Sequence, residues 1–378
     1  MTRHPPVRLA VVRDSRTEGW PSMDLCADQL VAHLPAVAGV DATDLEVPFA
    51  RRAGRLPVVG RRAAAFNADR LAYRHVALPR FVRRAAADFD FVHVVDHSYA
   101  HAALAVTPGR CGVYCHDLDA FRSVLDPARE QRPWWFRALA RRTHRGLRAA
   151  AVVFHSTTPV RDELAGGGLV EPARLVHAPY GVAAEFVPDA AGPVEPFGAP
   201  PGPFVLHVGS HLPRKRVDVL LDAFAAVVER RPDLSLVQVG PLFGSALAVR
   251  IDRLGIGPNV VKFTGLTRPQ LADLYRRAAA VLVPSEAEGF GLPVIEALSC
   301  GAAVVASDIP VLREVGGDAL VFRPVGDVPG WADAVLRVLA DPAAAPPRAT
   351  RLSVAARYSW AAHARVIGET YLRLASGG

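Results

Sequence analysis

The sequence predicts an α/β protein made of two doubly wound, Rossmann-like parallel-sheet domains facing across a cleft. Three observations carry this expectation. Short valine-rich apolar runs, the pattern of strands buried on both faces, alternate with helical stretches along most of the chain. The alternation is repeated in two halves, which points to parallel sheets with helices on both faces. Between the halves lies PDAAGPVEPFGAPPGP at 188–203, too rich in proline and glycine for the interior of an element.

In chain order, the first half offers strands at 8–13 (RLAVVR), 91–98 (FVHVVDHS), 112–117 (GVYCHD), 150–156 (AAVVFHS) and 174–181 (RLVHAPYG). The second offers 204–210 (FVLHVGS), 234–240 (LSLVQVG), 259–265 (NVVKFTG), 280–285 (AVLVPS), 302–308 (AAVVASD) and 319–324 (ALVFRP). The expected division is an N-terminal, acceptor-side domain over 1–187, the linker at 188–203, and a C-terminal domain over 204–350. A C-terminal helical segment over 351–378 follows, free to cross back to the N-terminal domain.

With 378 residues, 51% hydrophobic and 21% charged, the chain can bury two cores, which excludes a disordered protein. The formal charge of +7 comes almost wholly from arginine, since the lysines are Lys215 and Lys262 alone. That charge is spread along the chain without a reader motif, so no nucleic-acid partner is expected. The four cysteines show no framework spacing, and the N-terminus runs straight into a strand. No uncharged apolar run is long enough to span a bilayer. These features lead us to expect a cytoplasmic protein. The stretch RPWWFRALARRTHRGLR at 132–148 admits peripheral contact with the inner face of a membrane, although a packed helix with a solvated arginine face is its plainer reading.

The chemistry gathers at SEAEGFGLPVIEALSCG, 285–301, where Glu288 and Glu296 bracket a glycine-rich loop and the start of a helix. Carboxylates suit the neighbouring hydroxyls of a sugar or a ribose. Taken singly, Glu288 reads as a solvated loop residue and Glu296 as a favourable first-turn acid. Upstream, VGSHLPRKRVDVLLDAF over 208–224 places Arg214 and Lys215 after a strand, where positive charge can meet a departing diphosphate.

The string EGFGLPVIE over 288–296, continued by GAAVVASDIPVLREVGGDA, resembles the E-x7-E signature of the retaining glycosyltransferases of the GT-B fold, above all family 4 (group 1). The resemblance covers the second half strongly and the first half loosely. It implies that Glu288 contacts donor-sugar hydroxyls, Glu296 holds the ribose, and the backbone of Gly289, Phe290, Gly291 and Leu292 approaches sugar and diphosphate. Lys215, with Arg214 beside it, matches the phosphate-binding basic pair, and Ser210 stands where many members carry another basic residue. CHDLD at 115–119 resembles the family's histidine loop, which assigns His116 to the donor sugar and reacting oxygens and Asp117 to loop shape. Phe263 and Gly265 fall where relatives hold the base. Gly19 and Ser22 are loose matches in an opening loop without the usual paired glycines.

The implied activity is transfer of a hexose, with retention, from a nucleoside-diphosphate sugar (GDP-mannose-like or UDP-sugar) to a hydroxyl of a glycan, a lipid-linked or a small-molecule acceptor, with no cofactor and no metal. The alternatives are a nucleotide-sugar epimerase or hydrolase on the same scaffold, and a non-catalytic nucleotide-sugar-binding protein. Two metal-like groupings are set aside. Cys111 and Cys115 would lie roughly 13 Å apart along a strand, too far to share one ion with His116. His97 and His101 lack a matching acid.

Overall fold

The computed structural model describes residues 5–50, 62–189, 192 and 194–377. Both sheets are six-stranded and every pairing is parallel. The first contains β1 (Val7–Val12), β2 (Val40–Leu45), β3 (Phe91–Val94), β4 (Cys111–Cys115), β5 (Val152–His155) and β6 (Leu175–His177), in the order β2-β1-β3-β4-β5-β6. The second contains β7 (Phe204–Val208), β8 (Ser235–Val239), β9 (Val260–Phe263), β10 (Ala280–Val283), β11 (Val304–Ser307) and β12 (Val321–Arg323), in the order β12-β11-β10-β7-β8-β9. The doubly wound α/β architecture expected from the sequence is therefore present twice. In each sheet the order reverses beside its first strand, between β1 and β3 and between β7 and β10. Ligands of such sheets gather at the carboxyl ends of those strands.

One strand escapes the sequence reading. VDATDL forms β2, an edge strand paired only to β1, and its side chains are mostly half-buried or exposed. An edge strand covered on fewer sides needs no apolar run, so the cue used for the other eleven is missing.

The chain divides into two compact units, one of Met1–Tyr180 with Trp360–Gly378 and one of Gly181–Ser359. The sequence places the break at 188–203, yet these residues belong to the second unit. Arg277 donates to the Pro200 carbonyl at 2.6 Å and the Phe197 ring meets Phe263 edge-on. The segment expected as one tail over 351–378 is two helices. Arg348–Ala355 stays with the second unit, and Trp360–Ala375 packs in the first. There Tyr371 bonds His93 at 2.9 Å, in a space that a Cβ on Gly112 would fill to within 2.1 Å of the Tyr371 hydroxyl.

In the second unit, helix Val217–Val228 buries Val217, Leu220, Leu221, Phe224 and Val227 in the core, the spacing of an inward helical stripe, and it packs against helix Val328–Ala340. Helix Arg268–Arg277 opens with a capping box, the Thr267 side chain and Gln270 satisfying each other's backbone N–H. Among the described residues no helix is long and apolar enough to cross a membrane.

Candidate functional site

At the reversal point of the second sheet, two loops meet. After β7 the chain enters the 3-10 turn Pro213–Lys215, then Arg216 takes a left-handed backbone (φ 48°) to start helix Val217–Val228. After β10, Ser285 and Glu288 lead to helix Leu292–Ser299. The loops are pinned by the Glu286 N–H donating to the Arg214 carbonyl at 2.8 Å.

The Glu288 side chain, only 6% exposed, is the hub. Lys215 Nζ donates to its two carboxylate oxygens at 2.6 and 2.8 Å, Ser285 Oγ donates at 2.7 Å, and Arg214 Nη1 lies at 3.5 Å. Burial works against its charge, but the Lys215 ammonium and the Arg214 guanidinium outweigh it and hold the carboxyl below its ordinary range. Arg216 turns instead to Asp218 and Glu286. Arg214 is thus the arginine that joins Lys215 at Glu288, a choice between arginines that the sequence leaves open.

Gly291 caps the helix at φ 95°, and a Cβ there would sit 2.9 Å from Leu312 Cδ2, so glycine is required twice over. Leu292 opens the helix, Phe290 is buried with its ring edge-on to Tyr358, and Gly289 lies between Phe290 and Glu288. Glu296 is buried one turn further on. Burial lifts its carboxyl to about 7, and the Tyr275 hydroxyl donates to Oε2 at 3.0 Å. Tyr275 was not singled out from the sequence, because nothing in its helical spacing tells a partner of Glu296 from a core aromatic. Ser210 is half-buried just past β7. Phe263 ends β9, its carbonyl accepting from the Gly240 N–H, and Gly265 follows at φ 67°.

The first unit has its own reversal point. Asp14 lies just beyond the end of β1, Asp96 and His97 beyond β3, and His116 beyond β4. Both ring nitrogens of His116 are engaged: Nε2 donates to the Val95 carbonyl at 2.8 Å and Nδ1 accepts from the Tyr180 hydroxyl. The His116 backbone N–H donates to His97 Nδ1 at 3.2 Å, and His97 Nε2 lies 3.5 Å from Asp117. Burial pushes the His116 imidazole down to about 4, which keeps it neutral. Asp96, His97 and His116 are the one grouping among the described residues with metal-like spacing. Their histidine lone pairs already accept hydrogen bonds, so the grouping reads as a polar network and not as an ion cage. Cys115 Sγ donates to the Asp117 carbonyl at 3.2 Å, and His101 bonds the Arg74 carbonyl at 2.6 Å.

Two acids here were not anticipated. Glu18, its side chain fully buried, accepts from Arg70, Arg74 and the Tyr99 hydroxyl. Asp14 is buried with no hydrogen bond to Oδ1, and burial with the nearby Asp96 and Asp24 carboxylates lifts it to about 7. Gly19 (φ 70°) caps the turn after Glu18, and Ser22 lies exposed in the first turn of helix Pro21–His33.

Comparison with solved structures defines the class. The chain superposes on sucrose-phosphate synthase from Thermosynechococcus elongatus with a TM-score of 0.71, at 20% identity over 98% of this chain and 100% of that one. Anabaena HepE in complex with UDP-glucose gives 0.70 at 17% identity, over 97% and 99%. The chain has the GT-B fold.

Residues 202–341 match the family model described as Glycosyl transferases group 1. The D-inositol 3-phosphate glycosyltransferase of Mycolicibacterium smegmatis is 36% identical over 200 residues, 50% of this chain and 44% of that protein. The serotype-specific mannosyltransferase WbdA of Escherichia coli is 33% identical over 181 residues, 46% and 22%. The chain thus spans less than half the length of these curated relatives. Its residues 202–341 are similar to the group 1 glycosyl transferases, within a GT-B fold, in line with the resemblance at 288–296.

Proposed function

We propose that this protein is a retaining glycosyltransferase that moves a hexose from a nucleoside-diphosphate sugar to an acceptor hydroxyl without a metal. The observation that carries the reading is the buried Glu288 carboxylate, held ionised by Lys215 and Ser285 beside the N-terminus of helix Leu292–Ser299. An ionised carboxylate is an acceptor with two oxygens, suited to two neighbouring sugar hydroxyls. Lys215 and Arg214 stand ready to take up the negative charge that grows on a departing diphosphate, and the helix N-terminus adds the positive end of its dipole. Glu296, with Tyr275 on one oxygen, keeps the other for a ribose hydroxyl.

The acceptor hydroxyl attacks from the leaving-group side and passes its proton to the departing phosphate oxygen, so no side-chain base is needed. His116, neutral, is assigned to the sugar's placement by the family resemblance; to act there its ring must exchange Tyr180 or Val95 for the ligand. The structures of HepE with UDP and UDP-glucose support a UDP-sugar donor, and the relatives named for mannosyl transfer support a GDP-mannose-like one. A cytoplasmic location goes with such donors.

The test is product analysis with UDP-glucose and GDP-mannose, offering D-inositol 3-phosphate and simple mannosides, in a chelator. We expect an α-linked product from one α-linked donor, read by NMR of the anomeric proton. A β-linked product, or activity lost in the chelator, would contradict the mechanism. Free sugar from every donor would point to a hydrolase.

A further inference from the structure

Helix Trp134–Ala149 of the first unit contains five arginines and no acid. One side of it, Ala140, Thr143, Gly146 and Leu147, is buried against the turn His97–Ala105. The approach is close, since a Cβ on Gly146 would come within 2.1 Å of the Ala100 carbonyl oxygen. At about 100° per residue, Trp134, Arg141, Arg145 and Arg148 fall on the opposite side in one stripe. All four are exposed.

The three arginine side chains of this stripe have no hydrogen bond or ion pair among the described residues. The nearby acids preceding the helix are already engaged, Asp126 by Arg129 at 3.6 Å and Glu130 by Arg132 at 2.8 Å. At the helix start, Trp134 is 75%, Trp135 45% and Phe136 37% exposed. Leu125, 37% exposed, ends the short helix Arg122–Leu125, which packs against helix Trp134–Ala149. Leaving the Trp134 ring largely in water forgoes the gain of burying it.

We propose that Trp134, with Arg141, Arg145 and Arg148 on the same stripe and Trp135 beside it at the helix start, forms a face that docks the protein on an anionic lipid bilayer. Indole rings settle at the headgroup level, where an apolar body and a polar N–H are both satisfied. The arginines match in sign and geometry the phosphates of such a surface, which they bind with paired N–H donors. The indoles lie at one end of the stripe and do not alternate with the arginines, an arrangement that suits shallow insertion better than stacking on successive bases. The inference is independent of the transfer reaction and stands or falls without it.

The experiment is flotation of the full chain with vesicles of phosphatidylcholine alone or mixed with phosphatidylglycerol, at low and high salt. We expect binding to the anionic vesicles only, weakened by salt. Replacing Arg141, Arg145 and Arg148 together by alanine should cut partitioning on the order of a hundredfold. The double change Trp134→Ser and Trp135→Ser should cut it roughly tenfold and abolish quenching of tryptophan emission by brominated lipid. These side chains are exposed, so unchanged thermal melting will show that the variants fold. No vesicle binding, equal binding to both compositions, or full binding by the triple arginine variant would overturn the proposal. So would arginine-dependent binding of duplex DNA without any binding to vesicles.

Discussion

The reversal points of the two sheets occupy the same place in the fold but carry opposite electrostatics. In the second unit, Glu288 is buried among donors and stays ionised, its charge matched by Lys215 and Arg214. In the first, Asp14 is buried among other carboxylates with an oxygen that has no partner, and it is lifted to about 7. The same unit also buries neutral imidazoles, with His93 pushed to about 3 and His116 and His363 to about 4 by burial. One reversal point holds an ionised carboxylate matched by cations, and the other holds a buried carboxyl lifted toward neutrality.

The largest expected effect separates the units by pH. A histidine with a folded pKa near 4 and an unfolded value near 6.5 contributes stability that is present above about 6.5 and lost as pH falls towards 4, at about 1.4 kcal/mol per pH unit. The first unit holds His75, His93, His101, His116, His155 and His363 in this condition, whereas the second holds His207 and, less shifted, His211. Hydrogen exchange at about pH 7.5 and about pH 5.5 should show the first unit losing protection far more than the second. Equal losses would break the contrast.

Next come Glu288→Gln and Lys215→Ala. Each should lower transfer on the order of a thousandfold, and each should destabilise the second unit by about 3–5 kcal/mol because the remaining partner stays buried. Steady-state kinetics and denaturant unfolding measure the two effects. Gly291→Ala should cost about 1–3 kcal/mol, since it combines the left-handed backbone with contact on Leu312. The smallest effect has the opposite sign. Asp14→Asn should stabilise the first unit by about 1–2 kcal/mol above pH 7, where the native carboxyl must ionise beside other carboxylates, and by less at pH 5.

The same contrast explains what the sequence disclosed. Glu288, Gly291 and Glu296 lie on one short run, and Lys215 sits in a second run after a buried strand, so the fold brings together two segments that are each readable alone. Tyr275 lay outside that reading because its partner is 21 residues away on another helix. In the first unit the network around His116 is drawn from the ends of three strands and from Tyr180, 64 residues on, and no local string carries it. Eleven strands announced themselves by apolar runs, while β2 did not because VDATDL carries two aspartates and a threonine and is mostly half-buried or exposed. The boundary at 180 was hidden for another reason. Proline and glycine at 188–203 mark an irregular segment, and only its bonds to Arg277 and its neighbours reveal which unit holds it.

The central claim is that the second unit binds a nucleoside diphosphate through Lys215. Thermal unfolding with UDP and with GDP, metal chelated, should be compared for the wild type and Lys215→Ala. At a hundredfold excess over Kd, one diphosphate should stabilise the wild type by about 2.7 kcal/mol, and the shift should vanish in the variant. No stabilisation by either, or a shift that survives the loss of Lys215, would contradict the account.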